Sequence, residues 1–166
     1  MPSELEYEEL RALVRSRVQL DRRTAGLRLA GIDQDAVSQT DTWFIPPRKV
    51  DWDWERLVRQ KRGAALDLSI WHEDMLCGLA FGSAQAAWLE LGYVETRPYD
   101  HPLGKQIMAI ALAVLELNAV VLEISETRIR NPFPDLRWRY IRHGYNELVK
   151  DGYTTYLCKR RGTREQ

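Results

Sequence analysis

The chain has 166 residues, 45% of them hydrophobic, and its 24 basic residues balance its 24 acidic residues. A chain of this length and composition is typical of one compact domain, taken here as residues 1–166. The zero net charge provides no overall attraction to nucleic acid or to an anionic membrane. The N-terminus lacks the apolar run of a signal peptide, and no stretch is apolar enough to span a bilayer, so we expect a cytoplasmic protein without a membrane partner.

Helices are predicted for the N-terminal segment, residues 1–42. Residues 5–20 carry apolar side chains at helical spacing and predict an exposed amphipathic helix. Residues 22–29 and 34–39 predict two further short helical pieces. No clear first strand precedes these helices. The candidate in the sequence is an edge piece at residues 43–45, where the core, residues 43–162, begins.

A helix is predicted from Asp51 to Gln60, after the break that Pro46 and Pro47 impose on regular structure. Asp51 is placed to cap this helix. The surrounding segment is dense in tryptophan, with Trp43, Trp52 and Trp54. Because buried aromatic side chains mostly serve packing, we interpret this group as a lid that fastens the N-terminal helices to a sheet.

Three strands are predicted next, as an antiparallel meander. Residues 65–71 alternate apolar and polar side chains, residues 75–82 form a second strand after a turn, and a third strand spans residues 88–96. The third strand ends at Arg97-Pro98, because proline cannot donate to a strand ladder and biases its predecessor toward extended geometry.

A phosphate-sized loop follows, from Asp100 to Gln106. Gly104 allows backbone N–H groups to approach a ligand closely, and the helix start behind it offers unpaired N–H groups to an anion. Lys105 adds a positive charge, and His101 is a candidate donor to a phosphate. This arrangement suggests a cofactor that carries a pyrophosphate.

The remaining elements are an apolar helix, a strand, a second helix and a hairpin. Apolar side chains on two faces predict a largely buried helix after Gly104, and the apolar run 119–124 predicts the strand that follows it. A helix that ends in residues 139–145 comes next. Residues 146–149 and 153–159 are interpreted as the arms of a hairpin, since the Asp-Gly between them is a strong turn signal.

This order of elements resembles the GNAT superfamily of N-acetyltransferases, in which a loop and helix after the fourth strand hold acetyl-coenzyme A (acetyl-CoA). The last helix of that family ends in a pattern like Leu-Tyr-x-x-x-Gly-Phe. The similar residues here are Arg139-Tyr140-Ile141-Arg142-His143-Gly144-Tyr145. The usual loop signature of Gln or Arg, two residues, Gly, one residue, and Gly or Ala is not met.

The resemblance implies an α+β fold with three layers, α/β/α. Its central sheet is expected to be mixed, mostly antiparallel and splayed between two strands, as in the acyl-CoA N-acyltransferase type. The implied activity is transfer of an acetyl group from acetyl-CoA, as co-substrate, to an amine of a small molecule or a protein, by direct attack on the thioester.

The resemblance also implies where acetyl-CoA binds. Its pantetheine arm is expected to bond backbone groups of the splayed strand, at Val94 and Thr96. The residues expected at the pyrophosphate are His101, Leu103, Gly104, Lys105 and Gln106.

Direct attack requires a base for the ammonium proton and an acid for the departing thiolate. The candidate bases are Glu90 and Glu95, which point to opposite faces if the strand is regular. Glu95 is preferred because it lies nearer the strand end, and the alternative for either glutamate is an exposed surface salt bridge. Tyr140 matches the tyrosine of the family and is the candidate acid, with packing beneath the sheet as its alternative.

Other titratable residues are weaker candidates. The three histidines, His72, His101 and His143, lie on separate predicted turns, without the partners of a nucleophilic triad, and no metal site is expected. Cys77 and Cys158 lie in apolar, strand-like runs and are expected to be buried free thiols.

A run of arginines surrounds the last predicted helix: Arg128, Arg130, Arg137, Arg139 and Arg142. They are interpreted as a solvated face, as contacts to the 3′-phosphate of coenzyme A, or as a patch for an acidic macromolecule. The last interpretation keeps a tRNA-directed, toxin-like acetyltransferase open, and the incomplete loop signature keeps a non-catalytic interaction module open. The sequence leaves the acceptor undetermined, and also the oligomeric state, including a homodimer.

Overall fold

A computed structural model of the protein describes residues 2–44 and 48–162. In these residues one mixed sheet of seven strands runs through the molecule. Its strands are β1 Leu27–Ala30, β2 Leu66–His72, β3 Met75–Ala84, β4 Leu89–Thr96, β5 Glu126–Arg130, β6 Glu147–Asp151 and β7 Thr154–Arg160. The helices are α1 Glu4–Arg22, α2 Gln34–Thr40, α3 Trp54–Arg59, α4 Gln106–Val121 and α5 Arg137–Arg142, with a 3-10 turn at Pro134–Leu136.

The strand order is β1-β2-β3-β4-β5-β7-β6. β4 and β5 are parallel, and the other neighbouring pairs are antiparallel. The parallel pair follows from its connection through α4, since parallel strands need a crossover whereas antiparallel strands can be joined by tight turns. Helices lie against both faces, so the predicted three-layer α+β architecture is confirmed.

The two faces of the sheet carry separate hydrophobic cores. On one side, called here the α4 face, Leu68 of β2 packs with Val14 of α1 and Ile110 of α4. On the other side, called the tryptophan face, Trp43 and Trp54 pack against side chains of β3 and are each 2% exposed. The tryptophans therefore serve packing, in agreement with the interpretation of this segment as a lid.

α1 begins at a reciprocal cap. The Glu6 backbone N–H donates to the Ser3 hydroxyl, and the Ser3 backbone N–H donates to the Glu6 carboxylate. The helix is then attached to the sheet through buried charges, with Arg15 Nη1 3.2 Å from Asp67 Oδ1 on β2. These contacts position α1 beside α4 on the same face of the sheet.

The helix predicted at residues 22–29 is wrong, because the first strand lies there. Arg23 ends α1 in the left-handed region, with a φ of 52°, and β1 then pairs antiparallel with β2. Leu27 and Leu29 are buried, and Arg28 between them is exposed. Such a short alternating stretch does not distinguish a strand from a helix by its period.

The segment that contains the tryptophans also differs from its prediction. Residues 43–44 belong to no strand, and residues 45–47 lie outside the described part of the chain. α3 is shorter than predicted, because Asp53 caps it by accepting a hydrogen bond from a first-turn N–H at 3.1 Å. Asp51, the predicted cap, instead lies 3.1 Å from Arg48.

The strand predicted at residues 119–124 is wrong, because α4 continues to Val121 and β5 begins at Glu126. Glu123, with a φ of 59°, turns the chain after the helix. α4 is apolar on most sides, so its last turn lacks the amphipathic pattern that marks a surface helix. An apolar run of this length fits a buried helix and a buried strand equally well.

The C-terminal hairpin is confirmed, with its turn one residue further on. β6 ends at Asp151, β7 begins at Thr154, and Gly152 and Tyr153 form the loop between them. Gly152 has a φ of 60°, the backbone conformation that favours glycine in a two-residue hairpin loop.

Two further features of the described residues bear on function. None of their helices combines the length and the apolar character needed to cross a membrane. Cys77 and Cys158 are buried and free, as predicted.

Candidate active site

The candidate site lies where β4 and β5 separate. The two strands pair over three residues, Leu89 to Leu91 with Thr127 to Ile129. β4 then continues to Thr96, and among the described residues no strand pairs with residues 92–96 on the β5 side. This confirms the predicted splay. An unpaired strand edge offers backbone N–H and C=O groups to an extended ligand.

A bulge in β4 lies at the point of separation. Leu91 pairs with Gly82 and Tyr93 pairs with Phe81, so Gly92 is the extra residue. A Cβ at Gly82 would lie 2.3 Å from a backbone oxygen of β4, which shows how closely the two strands approach there. The bulge bends β4 away from β5 and increases its local twist.

The bulge also brings both candidate bases to one face of the sheet. Glu90 pairs with Ser83 and Glu95 pairs with Leu79, two β3 residues that share a face because they are four positions apart. That is the tryptophan face, since Leu79 packs in its core. The predicted opposite orientation is wrong, because strict alternation holds only for a strand without an extra residue.

Both carboxylates are 2% exposed, so neither belongs to an exposed surface salt bridge. Glu95 is held by three donors. Arg48 donates from Nε to Oε2 at 2.5 Å and from Nη2 to Oε1 at 2.9 Å, and Trp54 Nε1 donates to Oε1 at 2.7 Å. The hydrogen bonds that Arg48 donates to Glu95 raise the pKa of Arg48. Both oxygens of Glu95 are therefore occupied, and the pair ties the segment before α3 to the end of β4.

Glu90 is equally buried but has fewer hydrogen-bond donors around it than Glu95. Trp88 Nε1 donates to its Oε1 at 3.1 Å. Its Oε2 lies 3.6 Å from Arg130 Nε, a distance too long for a hydrogen bond. Within the described part of the chain this oxygen receives no hydrogen bond, so it retains the capacity to accept one, although the side chain is buried.

The loop after β4 presents the start of α4 without a side-chain cap. Gly104 has a φ of 51°, and a Cβ there would meet no described atom within 4 Å. Lys105, the N-cap residue, makes no capping hydrogen bond through its side chain in the described structure. Leu103 is 1% exposed and packs in the core of the α4 face, so only its backbone can contact a ligand. The N–H groups of Gly104 and Gln106 already donate to the His101 and Leu103 carbonyls. The other N–H groups of the first turn, beside Lys105, form an anion-binding geometry.

His101 lies in the same loop with an unused nitrogen. Its Nδ1 is buried and has no hydrogen-bond partner among residues 2–44 and 48–162. Burial lowers the pKa of His101, and the charge of Arg97 lowers it further. The imidazole is therefore neutral at pH 7 and has one hydrogen bond still to make.

Tyr140 and Tyr145, from the motif at the end of α5, have different environments. Tyr140 is 6% exposed on the α4 face, and burial raises its pKa to about 12, so its hydroxyl stays protonated at neutral pH. Tyr145 is fully buried, burial raises its pKa as well, and its hydroxyl accepts a hydrogen bond from Thr127 Oγ1 at 3.0 Å. Tyr145 is a core residue that links the end of α5 to β5.

A cavity of about 500 Å³ opens on the tryptophan face at the bulge. Gly92, Tyr93 and Arg130 line it, together with residues of α3 and of the chain before β2. Its volume falls in the range of small-molecule sites. The sequence prediction missed this cavity because distant parts of the chain line it. The local signal that was available is Gly92, since a glycine inside a strand pattern indicates a bulge.

Comparison with known proteins identifies the fold. No protein-family model matches the chain, and no curated protein matches it. The crystal structure of the ribosomal-protein-S18-alanine N-acetyltransferase from Escherichia coli matches with 11% identity and a TM-score of 0.57, over 84% of this chain and 97% of that chain.

Two further solved structures of similar fold contain coenzyme A or acetyl-CoA. The PaiA N-acetyltransferase from Thermoplasma acidophilum, in complex with coenzyme A, matches with 17% identity and a TM-score of 0.53, over 95% of this chain and 96% of that one. A GNAT family acetyltransferase from Elizabethkingia anophelis with acetyl-CoA bound matches with 9% identity and a TM-score of 0.53, over 82% of this chain and 99% of that one. The chain therefore has the fold of the GNAT superfamily, as its sequence predicted.

Proposed function

We propose that the protein is an N-acetyltransferase that uses acetyl-CoA as co-substrate and transfers its acetyl group to an amine of a small molecule or a protein. The observation that carries the proposal is the open edge of β4, which leads directly to an uncapped helix start. This pairing suits a cofactor with an extended amide-containing arm and a pyrophosphate. The structures of similar fold with coenzyme A or acetyl-CoA support the same choice.

Acetyl-CoA would be held mainly by backbone groups. The pantetheine amides would bond the edge of β4 at Val94 and Thr96, as a short added strand. The pyrophosphate would lie at Leu103 to Gln106, beside the charge of Lys105 and the first-turn N–H groups that do not already donate to a backbone carbonyl. His101 would complete this contact as a neutral donor.

Transfer then proceeds by attack of the neutral amine on the thioester carbonyl carbon. A C–N bond forms, the C–S bond breaks, and the ammonium proton goes to a base, directly or through one water. We assign the base to Glu90, because one of its oxygens is unoccupied in the described structure. Glu95, the base preferred from sequence, is assigned a positioning role, because Arg48 and Trp54 already occupy both of its oxygens.

Tyr140 is assigned the role of hydrogen-bond donor to the departing coenzyme A thiolate. Its pKa of about 12 lies well above the value of about 8.5 for a free thiol. Full proton transfer from this phenol to the thiolate is therefore uphill. The hydroxyl stabilises the sulfur by donating a hydrogen bond while charge develops, and solvent supplies the final proton.

The cofactor site is tested by calorimetry with acetyl-CoA. Gly104→Asp places a side chain and a negative charge against the pyrophosphate and is expected to weaken binding by about tenfold or more. Gly152→Asp is the matched control, because Gly152 also has a positive φ and open surroundings but lies in the distant hairpin. Equal losses in both variants would indicate backbone strain, and no binding by the unmodified protein would refute the proposed function.

A second candidate is an acetyltransferase directed to tRNA, and one observation favours it. Trp138 is 52% exposed, and the guanidinium groups of Arg139 and Arg142 lie 5.4 and 5.7 Å from its ring centre. Aromatic rings flanked by cations suit unstacked bases. A tRNA complex that weakens steeply with salt, and again when Arg139 and Arg142 are neutralised, would favour this candidate.

A further inference from the structure

The cavity at the bulge has a definite chemical character. Leu57 of α3, Phe81 of β3 and Tyr93 of β4 give it apolar and aromatic walls. The ring of Tyr93 meets the rings of Trp52 and Phe81 edge to face, at centre distances of 5.0 and 6.4 Å. The walls are therefore fixed by packing and suit a compact ligand with an apolar body.

Two guanidinium groups line the same cavity. Arg130, the last residue of β5, is partly exposed, with its guanidinium 5.2 Å from the ring centre of Tyr93. The guanidinium lies directly against Gly92 at the bulge, since a Cβ added at Gly92 would lie only 2.9 Å from Arg130 Nη2. Arg62 is exposed in the chain before β2, and within the described residues it forms no ion pair.

Two carboxylates lie near these guanidinium groups. Glu4 lines the rim and keeps its negative charge, and its carboxylate accepts hydrogen bonds from the Gly63 backbone N–H at 2.9 and 3.2 Å. Glu90 lies on the far side of Arg130 and holds it only loosely, at 3.6 Å. The cavity lining thus carries two cations, Arg62 without an ion pair in the described structure and Arg130 in a long contact with Glu90, and the carboxylate of Glu4 at its rim.

We propose that the acceptor is a small amine that also carries a carboxylate, with an apolar or aromatic body. Arg130 and Arg62 bind the carboxylate, and the aromatic walls hold the body. Glu90, which is 2% exposed and lies behind Arg130 outside the cavity lining, becomes accessible to the amine when Arg130 moves to the carboxylate. A carboxylate can replace the loose contact of Arg130 with Glu90 by a closer, bidentate one, which leaves Glu90 to receive the ammonium. The same two cations disfavour acceptors with two or more amines. This inference rests on the proposed acetyl transfer.

The test compares amines that differ only by the carboxylate: tyrosine with tyramine, and phenylalanine with phenethylamine. Release of free coenzyme A thiol gives kcat/KM for each. We expect the carboxylated member of each pair to be favoured by about tenfold or more, since a site built to bind a polar group rejects the analogue that lacks it. Spermidine is expected to be the poorest acceptor.

The preference within each pair is then measured in three variants. Arg130→Gln and Arg62→Gln are each expected to reduce the preference for the carboxylated amine severalfold. The preference is a ratio of two kcat/KM values measured on the same variant, so any effect of Arg130 on Glu90 that is common to both amines cancels. Arg59→Gln is the matched control, because Arg59 is an exposed arginine on α3 that does not line the cavity. It is expected to keep the full preference.

Three results would overturn the inference: equal or better turnover of the amines without a carboxylate, a preference that survives both substitutions, or no turnover of either amino acid by protein that binds acetyl-CoA. Failure to bind acetyl-CoA at all is a different result. It would refute the proposed acetyl transfer itself.

Discussion

The two halves of β4 differ in how far their backbone is paired and in how far their glutamate carboxylate is hydrogen-bonded. Before the bulge, residues 89–91 are paired on both sides, and Glu90 keeps an oxygen without a hydrogen bond in the described structure. After the bulge, residues 92–96 have no strand partner on the β5 side within residues 2–44 and 48–162, and both oxygens of Glu95 accept hydrogen bonds from Arg48 and Trp54. The backbone edge available to a ligand therefore lies beside the saturated carboxylate. The carboxylate with an unused oxygen is itself buried and lies on the half of β4 that is paired on both sides.

This division has a physical reason. A strand edge without ladder hydrogen bonds is held less firmly than a central strand and opens more readily. The pair of Glu95 with Arg48 anchors that half of β4 from the tryptophan face, away from the edge that the pantetheine would occupy. The reactive carboxylate, in contrast, lies on the half of the strand that two neighbours already hold in place.

The largest expected effect tests the anchored half. Arg48→Met leaves the buried carboxylate of Glu95 without its charged partner, and the free energy of unfolding is expected to fall by about 3 to 5 kcal/mol. Urea denaturation measures the change. The double variant Arg48→Met with Glu95→Leu should recover much of the loss, because it removes the unpaired charge. A fall below about 1 kcal/mol for Arg48→Met, the value of an exposed pair, would contradict a buried anchor.

The next effect tests the carboxylate of Glu90. Glu90→Gln keeps an acceptor for Trp88 but removes the base, so kcat is expected to fall by roughly 10²-fold to 10⁴-fold while the melting temperature changes little. Glu95→Gln is the comparison, and its activity should fall only in step with its stability. The reverse pattern, with activity lost in Glu95→Gln at full stability, would restore Glu95 as the base.

A somewhat smaller effect is expected at Tyr140. Tyr140→Phe keeps the ring in the core and removes the donor to the leaving sulfur, so kcat should fall by roughly 10²-fold with cofactor affinity and melting temperature nearly unchanged. Steady-state kinetics and calorimetry measure the two quantities. Normal turnover, or a loss that follows the melting temperature, would make Tyr140 a packing residue.

The smallest effect concerns pH. The pKa of His101 is lowered in the folded protein, so below pH 6.5 the unfolded chain binds a proton that the native chain does not. His101 therefore contributes stability above pH 6.5 that is lost as the pH falls through its lowered native pKa. We expect His101→Gln to flatten the decline of stability below pH 6.5, and bound acetyl-CoA to alter that decline only in the unmodified protein. An unchanged pH profile in the variant would show that His101 titrates alike in both states.

The sequence predicted correctly the elements that have a long hydrophobic pattern or characteristic turn residues at their ends. The meander, α1, the start of α4 and the hairpin at Gly152 are of this kind, and the motif around Tyr140 pointed to the correct superfamily fold. The errors in element type fall on β1 and on the stretch before β5, and further errors concern the start of α3 and the faces of Glu90 and Glu95. Short or uniformly apolar runs fit both helix and strand, and burial on the α4 face decides between them.

Local patterns by themselves determined that β4 ends before a glycine loop, that this loop opens a buried helix, and that carboxylates lie on the strand beside it. Only the tertiary structure decided what those carboxylates do. The face of Glu90 depends on the register of β4 against β3, the partner of Glu95 comes from a segment 47 residues away, and the cavity needs Arg62 and Arg130 together. These are contacts between distant parts of the chain, and residue spacing along a single strand carries no information about them.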